Sequence, residues 1–150
     1  MDKQTAYAAQ IRFRENLHKI NGLFEGITKA LGLNFTAVLV LEILYNSEAS
    51  VTQKDLRERL VVPKQYINYI IKSLRAQGFI KLQENEDRRA KQIIFTDRGK
   101  EYAETIINSV HDIEIKAWDG FSDEDVLAFA CIMEKYEKSF EDALKNNAGL

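Results

Sequence analysis

Thr52 to Gly78, TQKDLRERLVVPKQYINYIIKSLRAQG, reads as two short helices joined by a tight turn; Phe79 to Gly99, FIKLQENEDRRAKQIIFTDRG, reads as a two-stranded hairpin running into a further helix. The first helix begins at about Thr52, because a threonine followed three residues later by Asp55 caps the orphan N–H groups ahead of Leu56 and Leu60. Val61 and Val62 break the period. Pro63 suits the first turn of the second helix, where its fixed φ is helical and its missing N–H needs no partner, and Gly78 closes that helix in the left-handed region. Between them Ile67, Ile70, Ile71 and Leu74 keep the i, i+3, i+4, i+7 spacing of one buried stripe. This order is that of a winged helix-turn-helix, whose commonest use is to seat the second helix in the major groove of DNA with the wing beside it.

At about 100° per residue, Gln65, Asn68, Tyr69 and Lys72 fall on the face opposite the stripe. Their chemistry suits base edges: amides pair bidentately with adenine, tyrosine meets a thymine methyl or a phosphate, and lysine meets guanine or a phosphate. Lys64 and Tyr66 lie on the shoulders of that face, at the end that enters a groove first, and are assigned to phosphate. The competing reading is an ordinary amphipathic surface helix; the two tyrosines argue against it, since an exposed aromatic with no core to join normally has a partner.

Phe79–Glu84 and Ala90–Phe95 alternate as paired strands do. Asp87 and Arg89 at the tip are two residues apart and point to the same side of an extended strand, so an ion pair there would aim Arg89 at a narrow, electronegative minor groove. Arg88 and Lys91 are assigned to phosphates. A solvated wing tip without a partner is the alternative, because surface ion pairs are common and weak.

The segment resembles the DNA-binding lobe of the MarR family, the multiple antibiotic resistance regulators. The diagnostic stretch runs from Asp87 to Gly99: Asp87 and Arg89 match the family's wing Asp-x-Arg, and Phe95-Thr96-Asp-Arg-Gly99 matches its Leu-Thr-x-x-Gly junction, with Phe95 in place of leucine. Val62–Asn68 and Leu74–Ile80 are similar to the family's recognition helix and its exit, although Pro63 stands where many members have a serine cap. The resemblance implies a homodimer with interlocked first and last helices, double-stranded DNA as partner, and a small-molecule effector, often an aromatic acid or drug, held between the dimer helices and the reader. No motif identifies that effector or its site.

The flanks fit such a mounting. Phe13, Leu17, Ile20, Phe24, Ile27 and Leu31 form a heptad seam; Ala103, Ile106, Val110, Ile113 and Ala117 repeat it after Thr96, the next N-cap; Phe129, Met133, Tyr136, Phe140 and Ala143 form a third seam after the capping box Ser122–Asp125. Three seams exceed what one small lobe can bury, which favours a dimer over a monomeric bundle. A two-fold dimer predicts a palindromic site with half-sites about one helical turn apart. Phe35–Tyr45 is apolar almost all round and reads as a buried central helix, at about half the length needed to span a membrane. The polar N-terminus has no signal-peptide pattern, so a cytoplasmic protein without a membrane partner is expected.

With 150 residues, 45% hydrophobic content and a single proline, the chain is expected to form one domain over 1–150. Its fold class is mainly α with a small β-hairpin wing: a winged-helix lobe over 35–99 and a helical dimerisation region over 5–33 and 97–146. The formal charge of −2 opposes nucleic-acid binding only as a sum. Ser50 to Gln92 holds ten Lys/Arg against five Asp/Glu, net +5, which leaves eleven basic and eighteen acidic residues elsewhere, net −7. A basic reader on an acidic body has that polarity.

Enzymatic chemistry has little support: there is no glycine-rich phosphate loop and no metalloprotease motif. No cofactor or metal is expected. His18 and His111 lie on different helices, with His111-Asp112 and Glu114 only a weak hint of a metal site. The lone Cys131 excludes an intrachain disulfide, and it has no adjacent base to activate it as a sensor. The expected function is therefore that of a sequence-specific, ligand-responsive repressor; the alternative is a winged-helix module that docks on proteins through Tyr66 and Tyr69.

Overall fold

The computed structural model describes residues 2–84 and 91–147. The chain divides into two compact units, residues 1–111 and 112–150. The first contains α1 (Lys3–Ala30), α2 (Phe35–Asn46), β1 (Val51–Thr52), α3 (Gln53–Leu60), α4 (Lys64–Ala76), β2 (Ile80–Glu84), β3 (Lys91–Phe95) and the larger part of α5 (Asp97–Ala117); the second contains α6 (Asp123–Asn146).

The helix ends follow local chemistry. Leu33 N–H donates to Thr28 O at 2.9 Å and Gly32 N–H to Lys29 O at 3.0 Å, with Gly32 at φ 75, so α1 closes in a Schellman motif. The end of α4 repeats it: Phe79 N–H donates to Leu74 O and Gly78 N–H to Arg75 O, with Gly78 at φ 76, and the side chains of Phe79 and Leu74 share the core. Asn34 caps α2, its side chain accepting from Ala37 N–H at 2.9 Å.

Around this frame Val38, Val40 and Leu41 of α2, Leu56 of α3, the four-residue stripe of α4, and Ala103, Ile106, Ile107 and Val110 of α5 form a single buried cluster. The expected hairpin is joined by a third strand that the sequence reading lacked: β1 pairs antiparallel with β3, giving the order β1-β3-β2. Val51, Ile93 and Leu82 align across the three strands and close one side of the core. Two residues carry no periodicity, so this strand exists only through its partner.

The seams divide between core and surface. Ile27 and Leu31 pack on the first unit's core and Phe24 stacks on Phe35 at 4.7 Å, whereas Leu17 and Ile20 of the same seam are exposed. In the second unit α6 begins with the capping box of Ser122 and Asp125 and buries none of its residues; Phe129, Ile132, Phe140 and Leu144 are exposed. Trp118 meets Phe121 and Phe129 edge-on beside an open apolar hollow of about 570 Å³. Among the described residues no single helix is long and apolar enough to cross a membrane.

The turn between α3 and α4 is strained. Val61 sits at φ 52, ψ 46 and is 88% exposed, so a β-branched side chain holds a left-handed backbone without burying anything. Relief of that strain outweighs the extra chain entropy of glycine, and Val61→Gly is expected to raise stability by about 0.5 kcal/mol in urea unfolding. A lower midpoint would remove the strain argument.

Candidate nucleic-acid interface

The site is built on α3 and α4. Thr52 is the N-cap of α3: its hydroxyl accepts from Asp55 N–H at 3.3 Å, and the Asp55 carboxylate accepts from both Thr52 N–H and Thr52 Oγ1 at 2.8 Å. The Thr52 backbone N–H first, then its hydroxyl, hold the Asp55 carboxyl below its ordinary range. A depressed carboxylate stabilises the fold above its unfolded pKa of about 3.9, and that contribution is lost as pH falls through the lower folded value. Thr52→Ala is therefore expected to cost about 1 kcal/mol at neutral pH, by thermal melting, with the gap to the wild type narrowing in acid. A gap that widens below pH ~4 would contradict the capping assignment.

Pro63 stands one position earlier than the sequence suggested. Its ψ of 145 is extended, so it is the N-cap and Lys64 is the first helical residue. The Pro63 carbonyl accepts from Tyr66 and Ile67 N–H, no side chain caps the start, and the first turn holds no acidic residue. The positive end of the helix dipole therefore faces outward with Lys64 beside it, an arrangement that favours an anion.

Ile67, Ile70, Ile71 and Leu74 are buried, while Gln65, Asn68, Tyr69 and Lys72 are exposed on the opposite face. Tyr66 is 36% and Tyr69 67% exposed. Lys91 is exposed at the start of β3, in register with Glu84. Asp87, Arg88 and Arg89 lie outside the described residues, and with them the expected wing-tip ion pair.

Two further cations join this surface that the sequence reading did not single out. Lys54 and Arg57 of α3 line a hollow of about 230 Å³ together with Gln53, Lys64, Ile67 and Asn68; Gln65, Tyr66, Tyr69 and Lys72 lie outside its lining. A second hollow of about 240 Å³ lies between Thr52, Gln53, Lys54, Leu82 and Lys91. The i, i+3 spacing of Lys54 and Arg57 was the available signal; their approach to Lys64 and Lys91 depends on the tertiary fold.

The exit of α4 is clamped to α5. Thr96 N–H donates to Phe79 O at 3.0 Å, Thr96 Oγ1 donates to Gly78 O at 2.7 Å and accepts from Gly99 N–H at 3.0 Å. The Phe79 ring stacks on Tyr102 at 4.0 Å, with the Arg98 guanidinium 5.1 Å from its centre. Burial pushes the Tyr102 phenol up. Further along α5, His111 Nε2 meets Glu42 Oε1 of α2. Cys131 is exposed, and no cluster of three potential metal ligands occurs among the described residues.

The MarR family model matches residues 31–90. A curated relative, the uncharacterized HTH-type transcriptional regulator YkoM of Bacillus subtilis (strain 168), is 29% identical over 110 residues, covering 72% of this chain and 70% of that protein. Among solved structures, NMB1585, a MarR family regulator from Neisseria meningitidis, superposes with a TM-score of 0.75 at 27% identity, covering 98% of this chain and 99% of that one.

Proposed function

We propose that this chain, which resembles the MarR family of winged-helix transcriptional regulators over residues 31–90 and along its length in structure, is a cytoplasmic repressor that occupies a palindromic operator as a homodimer and is released by a small-molecule effector. The observation that carries this reading is α4: one face is buried, the other offers Gln65, Asn68, Tyr69 and Lys72, and its uncapped first turn lies beside Lys64, Arg57 and Lys54. Gln65, Asn68, Tyr69 and Lys72 read bases; Lys64, Tyr66, Arg88 and Lys91 hold phosphates; Arg89, oriented by Asp87, enters the minor groove. The exposed apolar residues of α1, and separately those of α6, support the dimer, because exposed large apolar side chains concentrated on one element mark an interaction site. An effector relieves repression by binding one spacing of the two readers better than the other.

Fluorescence anisotropy on the duplex immediately upstream of the gene, against a scrambled duplex at low and physiological salt, tests the reading. Dimer-stoichiometric preference for the upstream duplex that persists at physiological salt, and that weakens on Arg89→Ala, supports it. Equal, weak binding that vanishes with salt would instead leave a basic patch and favour docking on a protein through the exposed Tyr69.

A further inference from the structure

The two hollows share Gln53 and Lys54: Lys64 of α4 lines the first with Lys54 and Arg57 of α3, and Lys91 of β3 lines the second with Lys54. Glu58 stands among these cations. Its carboxylate lies 3.8 Å from Lys54 Nζ and 3.8 Å from Arg57 Nη2; Lys54 and Glu58 are exposed and Arg57 is half-buried. Exposed pairs of this length add little to a fold. Yet this separation is shorter than the Debye length, about 8 Å at physiological salt, so the charge of Glu58 is only partly screened from an anion that reaches Lys54 or Arg57.

We propose that Lys64, Arg57, Lys54 and Lys91 form one continuous track for a phosphodiester backbone, and that Glu58 is the track's internal competitor, an anion that occupies two of its cations until DNA displaces it. The proposal rests on the DNA-binding reading above and adds to it a strand path and a residue that limits affinity. A phosphate carries no base identity, so the effect of Glu58 is the same on every sequence. Without Glu58, the protein holds specific and non-specific DNA more tightly by the same factor, so the ratio of the two affinities is unchanged. The carboxylate thereby moderates a reader whose chain is acidic as a whole but basic in this lobe.

The test compares wild type, Glu58→Gln and Lys54→Ala by anisotropy on the upstream duplex and on a scrambled duplex of equal length, across a salt series, with thermal melting as the check on folding. Glutamine matches the shape and helix propensity of glutamate. Glu58→Gln is expected to melt like wild type and to bind both duplexes about threefold tighter at physiological salt. Lys54→Ala is expected to weaken both equally and to reduce the slope of log K against log salt by about one. Wild type that binds while Glu58→Gln is unchanged or weaker overturns this inference alone. Tightening confined to the upstream duplex overturns the track, since it places Glu58 at a base. Wild type that binds neither duplex even at low salt overturns the DNA-binding reading and the track with it.

Discussion

Gly99→Ala is expected to lower stability by about 3 kcal/mol or more, a large part of the margin a domain of this size has. The sign is opposite to the helical rule, under which replacing a glycine inside a helix by alanine gains about 1 kcal/mol. Gly99 lies in the first turn of α5, directly on the backbone that leaves α4. A Cβ there would overlap the Phe79 carbonyl oxygen and come 2.6 Å from its carbon. The obstacle is backbone, and it is held from several sides: Phe79 O accepts from Thr96 N–H, Phe79 N–H donates to Leu74 O, and the ring stacks on Tyr102. The clash is relieved only if α5 moves away, which breaks the Thr96 cap on Gly99 and the hydroxyl's bond to Gly78 O. Urea unfolding reads the loss directly, and Gly22→Ala in α1 is the comparison, because no atom lies within 4 Å of a Cβ there. A Gly99→Ala protein as stable as wild type would mean that the close approach of α5 to Phe79 is not real. Because the same contact fixes where α4 ends, any folded remainder is also expected to bind DNA poorly.

Asn68→Ala is expected to cost about 1–3 kcal/mol of binding on the upstream duplex, roughly ten- to a hundredfold, with little change on a scrambled one. Asn68 is exposed on α4 one turn beyond Lys64, and it lines the hollow that also holds Lys54 and Arg57. It therefore lies where the reading face meets the phosphate track. Its amide offers a base edge both a donor and an acceptor. Removing it leaves the buried stripe of Ile67, Ile70, Ile71 and Leu74 intact, so melting is expected to be unchanged. Loss of selectivity distinguishes Asn68 from Lys54, whose removal weakens both duplexes alike. Equal weakening on both duplexes would reassign Asn68 to the backbone.

The elements that the sequence determined by itself are those governed by neighbours within one or two helical turns. The Thr52–Asp55 and Ser122–Asp125 boxes, the left-handed Gly78, the buried stripe of α4 and its outward Gln65, Asn68, Tyr69 and Lys72 all follow from local hydrogen bonding and a fixed 100° step. Pro63 was displaced by one position, because a fixed φ suits an N-cap and a first helical residue alike and only ψ separates them. Tertiary structure decided the rest. β1 needs β3, forty residues away in the chain, to exist as a strand. The heptad spacing of Phe13 to Leu31 is uniform, yet its end packs on the core while Leu17 and Ile20 remain exposed, since periodicity records a face but not what covers it. Gly99 was legible as part of a motif, but its necessity comes from the Phe79 backbone lying against it. Lys54 and Arg57 join Lys64, and Lys54 joins Lys91, only when α3, α4 and the sheet pack together, because a charge cluster assembled from three elements has no spacing in the chain.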